Sequence, residues 1–135
     1  MIWEQKVKVI FCITRFIEGG KPIADKYWPS QASTEKTEDF SVTMMSRLDL
    51  GFYVKTTLEL AYESKKDRRL ITHYHLVDWN DMGVPSDLNL KKVIDLCRLS
   101  NKLFEGYGAP ILVHCSAGVG RTGTFIALAE AAAII

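Results

Sequence analysis

The sequence predicts one domain in which strands of a mixed sheet are combined with helices, and three observations carry that expectation. Residues 6–16 (KVKVIFCITRF) are β-branched and almost continuously apolar, the texture of a strand buried on both faces of a parallel or mixed sheet. Between Phe40 and Tyr62 apolar residues recur with period two, as half-buried strands do. Beyond Pro85 the texture turns helical, is interrupted by a short apolar run, and turns helical again.

Taken in order, the first run predicts a central strand, and EGGKP after it supplies turn chemistry. Phe40, Val42 and Met44, then Leu48, Leu50, Phe52 and Val54, then Leu58, Leu60 and Tyr62 predict an antiparallel meander. SKKDRR is a charged turn, and Leu70 to Val77 returns as a strand. Ser86 or Asp87 caps a helix whose apolar face runs through Leu90, Val93, Ile94, Cys97, Leu103 and Phe104, with Gly106 placed to stop it. APILVH is a short buried strand, and from about Arg121 an alanine-rich stretch favours helix.

The 135 residues suit one domain, and 47% hydrophobic residues suffice for a core. The 17 Lys+Arg nearly balance the 16 Asp+Glu, so a net charge of +1 offers no general attraction to nucleic acid or an anionic membrane. Three cysteines lack metal-ligand spacing, so no metal is expected; Cys12 and Cys97 read as reduced, buried thiols in a reducing compartment. Lys6 and Lys8 interrupt the first apolar stretch and Glu130 the last, so neither a signal peptide nor a membrane segment is expected.

The chemistry concentrates in VHCSAGVGRTG, residues 113–123, between the last strand and the last helix. A strand-to-helix turn gathers backbone N–H groups at the positive end of the helix dipole, a site for an oxyanion. Gly118, Gly120 and Gly123 let those amides converge. A thiol in such a place has its thiolate stabilised, which makes Cys115 a nucleophile at neutral pH. Arg121 can grip two phosphoryl oxygens bidentately, Thr122 can donate its hydroxyl to the sulfur, and His114 can orient the loop from behind. A nucleotide-binding loop would carry Lys-Ser/Thr where Arg-Thr stands. An acid for the departing oxygen is available in VDWNDMGVP, where Asp81 is the better candidate and Asp78 the next.

These motifs resemble the tyrosine-specific protein phosphatases: VHCSAGVGRTG resembles their active-site signature, MIWEQKVKVI their Trp-Glu-Gln segment, KYWPSQ their Tyr-Trp-Pro segment, and THYHLVDWNDMGVPSD their strand and acid loop. The resemblance implies an α/β fold with a twisted mixed β-sheet flanked by helices. It further implies hydrolysis of phosphotyrosine in proteins through a phosphocysteine, without metal or cofactor, in the cytoplasm or the cytoplasmic part of a receptor-type protein. Residue by residue it implies Cys115 as nucleophile, a phosphate-binding loop of Cys115, Ser116, Ala117, Gly118, Val119, Gly120 and Arg121, and Asp81 as general acid. Glu18 falls where the family braces the loop arginine, and Trp79 at the hinge of the acid loop. Asn80 stands in place of the family's loop proline and gives that loop backbone freedom. The family's domain is about twice as long, so residues 1–135 are expected to be a partial catalytic domain and a poor catalyst by themselves; the alternative is a phosphotyrosine-binding pseudophosphatase or an inactive fragment.

Overall fold

The computed structural model describes residues 1–30, 33–77, 79 and 87–134. Among them a six-stranded mixed sheet has the order β4-β5-β6-β7-β1-β8: β4 (Thr34–Lys36), β5 (Phe40–Asp49), β6 (Tyr53–Tyr62), β7 (Asp67–Leu76), β1 (Val9–Cys12) and β8 (Ile111–His114). A two-stranded ribbon pairs β2 (Ile17–Glu18) with β3 (Lys21–Pro22), and two helices come after the meander, α1 (Asp87–Tyr107) and α2 (Gly120–Ile134).

The central-strand expectation holds in a shorter form: β1 lies between β7 and β8, parallel to both, and all four of its residues are buried. The flanks of the apolar run do other work, Ile13 and Thr14 continuing buried beyond the strand's end. β5, β6 and β7 form the antiparallel meander. Its alternation, however, is not continuous. The register slips between Met44 and Ser46, a bulge that adds one residue to β5 and exchanges the two faces over the rest of that strand. Met44 therefore faces the core opposite Leu58, whereas Leu48 pairs with Lys55 on the other face and is 54% exposed.

Helix α1 buries Val93, Leu96, Cys97 and Ser100, and leaves Leu90 and Phe104 exposed. Its stop is Gly108 rather than Gly106: Gly108 has φ +61° and donates its amide to the Phe104 carbonyl at 2.9 Å, the left-handed cap that a residue with a Cβ adopts poorly. Ser86, the alternative cap, lies outside the described residues.

Two apolar clusters sandwich the sheet. Phe11, Ile13, Tyr74 and Leu76 meet α1 and α2 through Val93, Leu96, Phe125 and Ala129. On the opposite face Ile10, Cys12, Met44, Leu58 and Ile71 meet Val7 and Trp28, with Ile2, Trp3 and Phe16 packed against them. Stacked Phe11 and Tyr74, with ring centroids 4.8 Å apart, fix the first layer; Arg69, over the Trp3 ring at 3.7 Å, ties the N-terminal turn to the second.

Candidate active site

Strand β8 ends at His114, and the chain turns over five residues into α2. Cys115 is buried at the floor of this turn, whereas residues 116–120 are exposed around it. Gly118 takes φ +76°, which brings its amide within 3.3 Å of the Cys115 Sγ. The far side of the loop is anchored by the Ser116 hydroxyl, which donates to the Ile23 carbonyl at 2.8 Å. In α2's first turn the Gly123 amide donates to the Val119 carbonyl at 3.0 Å.

Burial alone would raise the Cys115 pKa. The Thr122 hydroxyl and amide, the Gly118 amide and the Arg121 charge outweigh that and leave the thiol below its ordinary value. Thr122 Oγ1 is buried and finds no other partner among the described residues, so the sulfur is the acceptor to which it can turn. The other two cysteines behave oppositely: burial pushes Cys12 to about 12 and Cys97 to about 11. Cys115 alone among the three has an environment that favours the thiolate.

Arg121, only 2% exposed, runs beneath the loop. It donates from one terminal nitrogen to Glu18 Oε1 at 3.3 Å and to the Trp79 carbonyl at 2.9 Å, and from the other to Thr14 Oγ1 at 3.4 Å. Glu18 reaches it because the β2–β3 ribbon turns through Gly19 and Gly20, both at positive φ (+57° and +74°), the two-residue turn for which Gly-Gly is suited. The structure thus brings Cys115, Arg121, Thr122, Glu18, Trp79 and His114 together. Asp81, its alternative Asp78, and Asn80 lie outside the described residues.

Behind the loop, the Tyr27 hydroxyl bridges His114 Nε2 at 2.6 Å and His73 Nε2 at 2.9 Å, and His114 Nδ1 lies 3.5 Å from the Cys115 carbonyl oxygen. Sequence reasoning gave His114 an orienting role but missed Tyr27, His73 and Thr14. Tyr27 lies in the KYWPSQ segment noted for its family likeness, so a signal was present; Thr14, one hydroxyl in an apolar run, had none beyond its polarity.

A mixed sheet whose last strand feeds a thiol, a positive-φ glycine and a buried arginine into a helix N-terminus has the chemistry that suits an oxyanion. The model of the family described as protein-tyrosine phosphatase matches residues 1–135, and the chain belongs to that family. It is 39% identical over 142 residues to human tyrosine-protein phosphatase non-receptor type 9, covering 95% of this chain and 24% of that protein. It is 40% identical over 130 residues to mouse receptor-type tyrosine-protein phosphatase C (95% and 10%), and 37% identical over 134 residues to Drosophila melanogaster tyrosine-protein phosphatase 69D (95% and 9%). The chain therefore spans a quarter or less of the length of these relatives. Among the described residues, no helix is long and apolar enough to cross a membrane.

Proposed function

We propose that this chain carries the reacting centre of a protein tyrosine phosphatase acting on tyrosine-phosphorylated proteins. In this reading the Cys115 thiolate attacks phosphorus while Arg121 and the amides of residues 116–121 hold the non-bridging oxygens. The bond from phosphorus to the tyrosyl oxygen breaks, and Asp81 donates its proton to that oxygen. Water then attacks the phosphocysteine and gives a proton back to Asp81; the phosphorus–sulfur bond breaks, and the thiolate is regenerated with the Thr122 hydroxyl pointing to it.

One observation carries the proposal: the thiol favoured as thiolate shares its loop with a buried arginine already oriented by Glu18 and Trp79. Asp81 enters on the family resemblance of its loop. The proposed setting is the cytoplasm, or the cytoplasmic part of a receptor-type protein, and no metal or cofactor is required by these steps.

The test is hydrolysis of a phosphotyrosine peptide with trapping of the phosphoenzyme. Radiolabelled phosphate should appear on Cys115 after acid quench, and Cys115→Ser should abolish both label and turnover. Tight phosphopeptide binding without label or product would instead make the chain a phosphotyrosine-binding pseudophosphatase.

A further inference from the structure

Among the described residues, one group of potential metal ligands adjoins the reacting centre and shares His114 with it: Cys12, His73 and His114 each offer a ligand atom, and the three atoms lie within 4.8 Å of one another. They come together for a topological reason. Cys12 on β1 is the direct cross-strand partner of His114 on β8, and His73 sits on the same face of β7, two residues before Cys12's other partner, His75. Cys12 and His73 are fully buried.

On the His73 ring, Nε2 meets the Tyr27 hydroxyl, and Nδ1 is buried without a hydrogen-bond partner among the described residues, a state that native structures rarely leave uncompensated. The Tyr27 hydroxyl, between His73 and His114, adds an oxygen donor beside the two rings. One thiol, two imidazoles and a phenol make a donor set suited to zinc and similar borderline-soft divalent cations. A tetrahedral site with metal–nitrogen bonds of about 2.0–2.1 Å and a metal–sulfur bond of about 2.3 Å needs its ligand atoms about 3.3–3.6 Å apart, so the widest separation in the cluster must close by up to about 1.2–1.5 Å. A cleft of about 460 Å³ is lined by Tyr27 and His114 of this group, whereas Cys12 and His73 lie behind its wall, fully buried.

We propose that Cys12, His73 and His114 form a regulatory zinc-type site behind the phosphate loop, with Tyr27 or water in the fourth position. Binding replaces the Cys12 S–H bond by a sulfur–metal bond and releases that proton to solvent; no electrons are transferred. As a neutral imidazole, His73 offers one unprotonated nitrogen to a metal. Capture of His114 loosens its hydrogen bond to Tyr27 and shifts the start of the loop, so metal should slow turnover without occupying Cys115. This last consequence rests on the proposed phosphatase activity; the site itself does not.

Cobalt(II) is the probe, titrated into the protein and followed by its thiolate charge-transfer band and the intense visible absorption of tetrahedral cobalt, with zinc affinity measured by competition. Wild type and Cys115→Ser should show the spectrum alike, and orthovanadate should leave it unchanged. Cys12→Val and His73→Gln should each lose it and weaken zinc binding by more than the roughly 10–100-fold that removal of a ligand's hydrogen-bond partner costs, their circular dichroism reporting folding. A spectrum that survives Cys12→Val, that disappears in Cys115→Ser or under vanadate, or that never forms would overturn the assignment.

Discussion

Removing the Glu18 carboxylate probes how firmly the loop arginine is held. At 3.3 Å the Glu18–Arg121 attraction is about 5 kcal/mol at an effective dielectric of 20. Withdrawing the guanidinium from water, to 2% exposure, offsets much of it, and a hydrogen bond to a charged group nets about 1.5–3 kcal/mol. Glu18→Ala leaves a buried cation still bonded to the Trp79 carbonyl and the Thr14 hydroxyl, so the loss should be about 2–3 kcal/mol. Glu18→Gln keeps an oxygen acceptor and should cost about 1 kcal/mol. Urea unfolding should show this as a lowered midpoint at constant slope, and orthovanadate should bind more weakly because the guanidinium is free to turn. Thr14→Val should couple to Glu18→Ala in a double-mutant cycle, since both hold one side chain. A Glu18→Ala cost under about 0.5 kcal/mol with unchanged vanadate affinity would place the pair among ordinary surface contacts and refute the brace.

Iodoacetamide should label Cys115 alone near neutral pH, with a rate that falls only as pH drops through its depressed pKa; Thr122→Val should move that fall to higher pH, and labelling of Cys12 or Cys97 at a similar rate would contradict the thiolate argument. Gly118→Ala meets no atom within 4 Å but must hold φ +76°, so it should cost about 1–2 kcal/mol through the backbone alone and show as roughly tenfold weaker vanadate binding; unchanged affinity would mean that the loop closes without that conformation. His73, held neutral by burial with a pKa near 3 against 6.5, binds a proton in the unfolded chain that the folded state refuses. Stability should therefore fall as pH drops from 6.5 toward 3, by up to about 1.4 kcal/mol per pH unit, and His73→Gln should flatten the slope measured by urea unfolding; a parallel curve would assign the acid sensitivity to other groups.

The loop was the most legible part of the chain because its chemistry is local: strand, thiol, glycines, arginine and helix succeed one another within a short stretch of chain. The meander was legible in kind but not in phase, since a one-residue bulge at Met45 is invisible in an apolar count yet moves Leu48 to the exposed face. The α1 stop was misread by two residues because both Gly106 and Gly108 are available and only the backbone's left-handed turn selects between them. The contacts at long range could not be read, Thr14 with Arg121 and Tyr27 with His73 and His114, whose sequence separations run from 46 to 107 residues.

Those long-range contacts share one cause, the parallel pairing of β1 with both β7 and β8. Three parallel strands end at one edge, and the residues just past each end must meet there: Thr14 after β1, Trp79 after β7, Cys115 after β8. This is the usual consequence of a parallel sheet, whose ligands lie beyond the carboxyl ends of the strands. Arg121 then needs only to descend from the first turn of α2 to reach the neighbourhood of all three endings, which it does through Thr14 Oγ1 and the Trp79 carbonyl while the loop carries Cys115 above it. The same register explains why a second thiol lies close by: strand pairing sets Cys12 beside His114, the residue that precedes Cys115. Burial outweighs the Thr14 amide and the Arg121 charge and keeps Cys12 protonated, whereas Cys115, beyond the strand's end, gains two amides and a hydroxyl that together outweigh its burial. Position relative to the end of a strand, not the residue type, separates the thiol whose pKa is lowered from the one whose pKa is raised.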